Sequence, residues 1–183
     1  MSQTSAPRTR ASIRSRRDAD LPACVEALAQ VHVTDGYPTN WPEQPAGWLA
    51  GDSLAGAWVA ELDDRDVGHV ALCRSGADDV VPALWSRGEG MAVEESAVVS
   101  RLFVAPGARG HGVGARLLER VVAEGRELGL SPVLDVVESE MFATALYERT
   151  GWQFLGTGRQ HWSPQQIVTV RCYAAPGAVV PPS

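Results

Sequence analysis

The sequence predicts an α/β fold in which a mixed, mostly antiparallel central sheet is flanked by helices and contains one βαβ crossover. Two hairpin patterns, Ala57 to Arg74 and Trp152 to Tyr173, support this prediction because each joins two strand-like runs through a short polar turn. Between them, the apolar run Val98 to Val104 leads into an amphipathic helix and then into a further strand, Pro132 to Glu138. Strand, helix and strand in this order predict a right-handed crossover.

The front half begins with a strand and a helix. Residues Ala11 to Arg16 alternate enough in polarity for a first strand. Asp18 or Asp20 is suited to cap the helix that follows. This helix is predicted to run to about Val31, with Pro22 tolerated in its first turn.

Two stretches have no regular pattern. The first, Thr34 to Asp52, is rich in proline and predicts a long loop. The second, Ser75 to Ser96, is long for a connection between two strands. A short helix, Val80 to Arg87, is predicted inside it.

The most informative motif is the glycine-rich run Arg109-Gly110-His111-Gly112-Val113-Gly114-Ala115. Its glycines let the backbone approach a ligand closely. The helix that follows adds unpaired N–H groups and the positive end of its dipole, which together favour phosphate. The guanidinium of Arg109 adds donors suited to phosphate oxygens. We therefore expect this run to hold a phosphorylated ligand.

The helix after the glycines is predicted from Val113 to Leu128. Its apolar residues recur at three- and four-residue spacing, from Leu117 to Leu128, and charged residues fill the other face. Gly129 follows the last turn, where a left-handed residue commonly ends a helix.

Two other phosphate-binding designs fit less well. A P-loop needs a lysine after its last glycine, and none is present here. A dinucleotide fingerprint matches by letter at Gly110, Gly112 and Ala115, with Asp135 near the position of a ribose-binding acid. Its glycines should follow the strand directly, whereas residues 105–109 intervene here.

A second motif, Glu140 to Gln153, contains Leu146-Tyr147 followed by Gly151-Trp152. Together with the Arg-x-x-Gly-x-Gly run, it resembles the GNAT family of N-acetyltransferases, in which phenylalanine is commoner at the position of Trp152. The clear resemblance covers roughly residues 98–155. It implies an enzyme that moves an acetyl group from acetyl-CoA to a primary amine of a small molecule (or peptide) by direct attack in a ternary complex.

The resemblance also assigns the binding of acetyl-CoA. The backbone groups of Leu102, Phe103 and Val104 would pair with the pantetheine arm, and one N–H would face the thioester carbonyl. The run from Arg109 to Ala115 would hold the phosphates. Tyr147 matches a tyrosine that lies near the thioester sulfur and assists the leaving thiolate.

The general base is less well defined by the resemblance. Relatives often carry an acidic base on the strand before the glycines, at the position that is Val98 here. We therefore expect Glu95 to be the base, with Glu94 or a chain of waters as alternatives. Glu140 stands where relatives often have an asparagine that contacts the cofactor, so we expect it to face the acceptor or solvent.

The acceptor pocket is expected to lie between the two irregular stretches. They carry the aromatic residues Tyr37, Trp41, Trp48 and Trp85, which suit the wall of a small-molecule site. The alternative is that these side chains only fix long loops to the core. The missing acid at Val98 also leaves open a non-catalytic acyl-CoA-binding or regulatory module of the same fold.

Composition restricts the remaining possibilities. The chain has 183 residues and a net charge of −6, which disfavours nucleic acid as a partner. No run is apolar enough to suggest a membrane span. Three unpatterned cysteines and the absence of a signal-like N-terminus suggest a reducing, cytoplasmic location. No metal-ligand spacing is apparent. We expect a single domain over 11–174, a disordered lead-in over 1–10 and a flexible tail over 175–183, and we leave a homodimer open.

Overall fold

The computed structural model describes residues 10–87 and 92–177 of the chain. Nine of the ten predicted lead-in residues and six of the nine predicted tail residues lie outside these ranges, and the single-domain boundary stays a prediction. The helices and strands follow in chain order: β1 (Ser12–Ser15), α1 (Leu21–Asp35), α2 (Pro45–Ala50), β2 (Leu54–Leu62), β3 (Arg65–Arg74), α3 (Val80–Arg87), β4 (Ser96–Val104), α4 (Val113–Leu128), β5 (Ser131–Val137), α5 (Met141–Arg149), β6 (Gln153–Ser163) and β7 (Gln166–Ala174).

The strands form one sheet in the order β1-β2-β3-β4-β5-β7-β6. Neighbouring strands are antiparallel except β4 and β5, which are parallel and joined through α4. This arrangement confirms the predicted fold class and the crossover. Both predicted hairpins are present, and the first turns through Asp63 and Asp64, which have positive φ.

The front half differs from prediction at two places. Helix α1 continues past Val31 to Asp35 and ends only at Gly36, which adopts the left-handed conformation at φ 75°. The stretch predicted as a long loop also contains α2, whose first residue is Pro45. Proline is favoured at a helix start because its missing N–H has no partner there in any case.

Helices cover both faces of the sheet. Leu28 of α1 packs with Phe103, and Trp85 of α3 packs with Val133. On the opposite face, Leu117 of α4 packs in one cluster with Tyr147 of α5. Strand pairing shows that α1 and α3 lie on the same face of the sheet. His69 and Cys73 are an even number of residues apart on β3 and so share a face. His69 pairs with Phe103, which packs with α1, whereas Cys73 pairs with Val98, which pairs in turn with Val133 beside α3.

Strand β4 has two irregularities that shape the centre of the molecule. It pairs with β5 only from Ser96 to Val98, so the rest of β4 has β3 on one side and no strand on the other. It also holds one extra residue between Ser100 and Phe103, at a bulge where Arg101 has φ 52°. The two strands therefore separate into an open wedge beside the bulge.

Candidate active site

The wedge exposes the backbone of β4 beyond Val98. Ala105 donates its N–H to the Val67 carbonyl on β3 at 2.7 Å. Because backbone groups of a strand point alternately to either side, the groups of Val104 face the wedge. Leu102 and Val104 turn their side chains to the α4 face, and Phe103 is buried on the α1 face. The predicted use of these backbone groups stays a prediction that this placement permits.

The glycine run forms a cradle at the start of α4. Gly110 and Gly112 have φ values of 81° and 72°, in the left-handed region. A Cβ atom at either position would meet no heavy atom within 4 Å, so open space lies in front of the loop. Gly112 is the N-cap residue and provides no side-chain cap, which leaves the first N–H groups of α4 available. The cradle suits an anion.

The rest of the run anchors this cradle. Val113 is buried. Gly114 packs directly on α5, where a Cβ atom would lie 3.0 Å from the Leu146 side chain. His111 is exposed, and its Nδ1 lies 3.2 Å from the carbonyl oxygen of Ala108. Ala115 lies in the first turn of α4.

Arg109 makes contacts that the sequence did not indicate. Its guanidinium pairs through both terminal nitrogens with the carboxylate of Asp35, the last residue of α1. Its Nε also lies 3.4 Å from the Val104 carbonyl. The pair ties the end of α1 to the loop before α4, and a phosphate would compete with Asp35 for the same donors.

Tyr147 lies beside the wedge on α5. Its side chain is buried, with ring centroids 6.2 Å from Trp152 and 5.9 Å from Tyr173. Burial raises the pKa of the phenol well above its usual range, and the charge that Tyr37 would carry raises it further. The phenol is therefore protonated at neutral pH and is a hydrogen-bond donor. Its predicted role at the sulfur stays a prediction.

Tyr37 lies on the α1 face of the sheet. The residue is partly buried and packs edge-on against Trp48 with 6.4 Å between ring centroids. Burial raises the pKa of its phenol, while the positive charge of Arg101 lowers it. The structure thus brings Tyr37 into electrostatic range of both Tyr147 and Arg101.

Asp135 is the site residue that the sequence analysis did not assign to catalysis. It lies on β5, just beyond the last residue that pairs with β4. It borders a cavity of about 350 Å³ formed by residues 78–82 before and within α3, by Val98, and by residues 159–162 of β6. Burial raises the pKa of its carboxyl to about 6, and the charge of Asp79 adds to the increase.

A short chain of hydrogen bonds fixes this carboxylate. The Gln160 amide donates to Asp135 Oδ2. Trp162 Nε1 donates in turn to Gln160 Oε1 at 2.9 Å. One carboxylate oxygen of Asp135 is thus held by β6. A carboxylate with a pKa near 6 at the edge of a cavity has the properties of a general base.

The acids proposed from sequence lie elsewhere. Glu95 is exposed, and its carboxylate accepts the N–H of Ala92 at 3.0 Å in the turn before β4. Glu94 is exposed in the same turn. Both precede the paired ends of β4 and β5, on the side away from the open wedge. Glu140 occupies the N-cap position of α5 without a side-chain capping hydrogen bond and is also exposed. The position of Asp135 suits a base better than that of either glutamate.

Two of the tryptophans proposed for the acceptor wall have different positions. Trp85 is 4% exposed in a core cluster with Val81 and Val133, a position that favours the alternative of packing, and its role in a pocket wall stays a prediction. Trp41 is 39% exposed and packs on His32 at 5.1 Å between ring centroids. It does not border the cavity beside Asp135. Its role in binding stays a prediction.

A buried histidine holds the bulge of β4. His69 is fully buried, stacks on Phe103 and makes two polar contacts. Its Nε2 lies 3.0 Å from Arg16 Nη1, and its Nδ1 lies 2.9 Å from the Arg101 carbonyl oxygen. Because arginine can only donate, Nε2 must accept and Nδ1 must carry the hydrogen. Burial lowers the pKa of His69 to about 4, so this neutral tautomer persists at pH 7.

Other kinds of site are not apparent in the described part of the chain. No group of His, Cys, Asp and Glu residues within it is arranged to hold a metal ion. None of its helices is both long and apolar enough to cross a membrane. Cys24, Cys73 and Cys172 are buried and free.

Comparison with known proteins agrees with this geometry. The model of the acetyltransferase (GNAT) family matches residues 22–152, which is well over half of the chain. An uncharacterised N-acetyltransferase of Mycobacterium tuberculosis is 26% identical over 136 residues, covering 74% of this chain and 76% of the relative.

Solved structures share the fold at low identity. The ribosomal-protein-S18-alanine N-acetyltransferase of Escherichia coli has a TM-score of 0.64 and 19% identity, with 91% of this chain and 93% of that one covered. A putative acetyltransferase of Salmonella typhimurium, solved with acetyl-CoA, has a TM-score of 0.63 and 16% identity, with 94% and 98% covered.

Proposed function

Since the chain belongs to the GNAT family and is an acetyl-CoA-dependent N-acetyltransferase, we propose that it acetylates a primary amine of a small molecule (or peptide) by direct attack in a ternary complex. The observation that carries this proposal is the position of Asp135. Its carboxyl has a pKa of about 6, borders a cavity and lies where β4 and β5 separate. Tyr147 is close enough for the charge of Asp135 to affect its pKa.

Acetyl-CoA supplies an activated acyl carbon, and several features of the chain fit its two ends. The open cradle at Gly110 and Gly112, with the uncapped start of α4, suits the phosphates. The unpaired edge of β4 suits an extended amide-bearing arm, because it offers backbone donors and acceptors. Arg109 is held beside the cradle by Asp35, and phosphate oxygens would take over the donors that Asp35 now occupies.

In the proposed reaction the amine nitrogen loses two protons, and each of them has an acceptor. An alkylammonium with a pKa of about 10.4 must first lose one proton. Asp135 accepts it, directly or through water, and later releases it to solvent. The amine nitrogen then forms its bond to the acyl carbon as the carbon–sulfur bond breaks. The nitrogen loses its second proton as the departing sulfur becomes a thiol.

Tyr147 is proposed to assist the departure of the sulfur. Its phenol is buried and protonated, so it donates a hydrogen bond to the sulfur as negative charge develops there. An ordinary phenol has a pKa of about 10 and a thiol about 8.5, and burial makes the phenol a still weaker acid. Hydrogen bonding or concerted transfer therefore suits Tyr147 better than complete prior proton donation.

The second candidate is a non-catalytic acyl-CoA-binding module of the same fold. The presence of both a candidate base, Asp135, and a candidate donor to sulfur, Tyr147, in electrostatic range of each other favours catalysis over binding alone, since a module that only holds acyl-CoA needs neither group. The homodimer and the cytoplasmic location remain predictions.

An assay of thiol release from acetyl-CoA over a panel of amines tests the proposal. We expect release that depends on the added amine and that falls at least 100-fold in the Asp135→Asn variant, which lacks the base. Calorimetry with acetyl-CoA serves as the control, and both proteins should bind it with similar affinity. Tight binding without amine-dependent release from any acceptor would favour the non-catalytic module.

A further inference from the structure

Arg101 is a cation without an anionic partner. Among the described residues, no carboxylate lies within ion-pair distance of its guanidinium. Its contacts are Cys73 Sγ, 3.4 Å from Nη1, and the ring of Trp48, 5.2 Å from Cζ. Its Nε is buried and has no hydrogen-bond partner. Arg14, which is similarly half-buried, instead contacts the carboxylates of three residues.

The bulge of β4 determines where this cation lies. Arg101 is the extra residue of the strand, and its positive φ of 52° is maintained by the hydrogen bond between its carbonyl and His69. The side chain extends beneath α2, where Gly51 would place a Cβ atom 3.0 Å from its Nη2. An unpaired guanidinium in so constrained a position suggests a ligand rather than an accidental surface charge.

The residues around Arg101 are in electrostatic range of the proposed chemistry. Trp48, which Arg101 contacts, also packs against Tyr37, and Tyr37 is within electrostatic range of Tyr147. Asp135 lies on the opposite strand of the wedge. Val98 borders the cavity of Asp135 and precedes Arg101 by three residues on β4, a separation of about 10 Å at the usual rise of a strand. Tyr37 is therefore in electrostatic range of both a cation, Arg101, and a carboxylate, Asp135.

We propose that Arg101 binds a carboxylate of the acceptor, and that the acceptor is a small amino acid-like molecule with its amine directed toward Asp135. This inference rests on the proposed acetyl transfer and specifies its substrate class. A planar guanidinium binds a carboxylate through two parallel hydrogen bonds and orients it. Trp48 and Tyr37 would pack against the nonpolar part of the molecule.

A carboxylate has one other source in this reaction, an acyl group derived from a dicarboxylic acid. The position of Arg101 favours the acceptor, because its side chain lies beneath α2 and against Trp48, within the stretch Thr34 to Asp52 that is expected to wall the acceptor pocket. Succinyl-CoA used in place of acetyl-CoA distinguishes the two sources.

The test compares matched acceptors with acetyl-CoA: leucine, leucinamide and isopentylamine, with 6-aminohexanoate for a longer spacing. We expect the wild-type kcat/KM for an acceptor with a carboxylate to exceed that for the matched analogue without a carboxylate at least tenfold. The Arg101→Met variant should lose this preference and retain activity on leucinamide within about threefold. Arg101→Lys should recover part of the preference, since it retains charge without the bidentate geometry.

Controls separate this inference from the proposed function. Arg65→Met removes an exposed charge at the β2–β3 turn and should preserve the preference for carboxylates. Melting temperature and acetyl-CoA affinity report whether Arg101→Met folds. If that variant does not fold, the wild-type activities on the acceptor panel and the Arg101→Lys variant test the inference instead.

Two results would overturn the inference while leaving acetyl transfer intact. One is equal wild-type activity on acceptors with and without a carboxylate. The other is a preference for succinyl-CoA over acetyl-CoA that depends on Arg101. Failure of every amine to release thiol would instead reject the proposed function itself.

Discussion

Asp135→Asn should make the protein more stable and nearly inactive at the same time. Burial raises the pKa of the carboxyl from its ordinary 3.8 to about 6 in the folded chain. At 1.36 kcal/mol per pKa unit, this difference corresponds to about 3 kcal/mol. Asparagine retains an oxygen that can accept the Gln160 hydrogen bond, so the substitution mainly removes the buried charge.

The sign of the effect follows from proton binding. Between pH 4 and 6, the folded protein holds a proton that the unfolded chain has already lost. Each step upward in pH through this range therefore lowers the free energy of unfolding of the wild type. Above pH 6 both states are ionised and the full penalty remains. The gain from Asp135→Asn should thus be near zero at pH 4 and at most about 3 kcal/mol at pH 7.

Urea denaturation without acetyl-CoA, at several values from pH 4 to 8, measures this gain. For a chain of this size the gain at pH 7 corresponds to a rise in Tm of up to about 6–12 °C. Asp52→Asn is a matched control, because Asp52 is exposed, and should change stability by less than about 0.5 kcal/mol at any pH. The same preparations supply kcat/KM, which should fall at least 100-fold in Asp135→Asn only.

Opposite changes in stability and activity distinguish a strained functional group from a structural one. An Asp135→Asn variant that loses stability at pH 7 would show that the carboxylate is a favourable part of the fold. A gain in stability that does not vary between pH 4 and 7 would show that its pKa is not raised. Either result would refute the reasoning that identifies Asp135 as the base.

Three further substitutions test other parts of the site. Tyr147→Phe should lower kcat about tenfold, which is about 1.4 kcal/mol of transition-state stabilisation, with little change in KM for acetyl-CoA; an undiminished kcat would assign the phenol to packing. Gly112→Leu should abolish acetyl-CoA binding in calorimetry because it adds a side chain to the cradle, whereas Gly129→Leu imposes a similar left-handed strain at the other end of α4 and should bind normally. Trp85→Ala should cost about 3–5 kcal/mol in chemical denaturation and leave the acceptor KM unchanged, since the side chain lies in the core; a raised KM in a stable variant would return Trp85 to the pocket.

The sequence predicted the bounds of a helix well where a regular apolar pattern and the residue that ends it are both visible in one short stretch. Helix α4 has the predicted bounds because a regular apolar stripe lies between Gly112 and Gly129, and both glycines adopt left-handed φ. Helix α1 was predicted too short, since its last turn is largely exposed and does not continue the buried apolar stripe, and only the conformation of Gly36 marks its end.

The sequence predicted those site residues that belong to short continuous motifs. The glycine cradle and Tyr147 belong to short motifs, and each lies beside the wedge. Asp135 carries no motif, and one signal was present: a carboxylate within the otherwise apolar run from Pro132 to Val137. A charged residue at such a position is costly to bury unless it has a function or a partner. Only the separation of β4 from β5, a long-range property, shows which neighbours it has.

The bulge at Arg101 explains why strand periodicity alone could not locate the acceptor side. In a regular strand Val98, Ser100 and Leu102 would share a face. The extra residue reverses this alternation, so that Leu102 turns to the α4 face and Phe103 joins the α1 face. His69 maintains the reversal through the Arg101 carbonyl, from a strand 32 positions earlier in the chain. One buried histidine on β3 thus helps determine which β4 side chains border the proposed acceptor cleft and which backbone groups face the wedge.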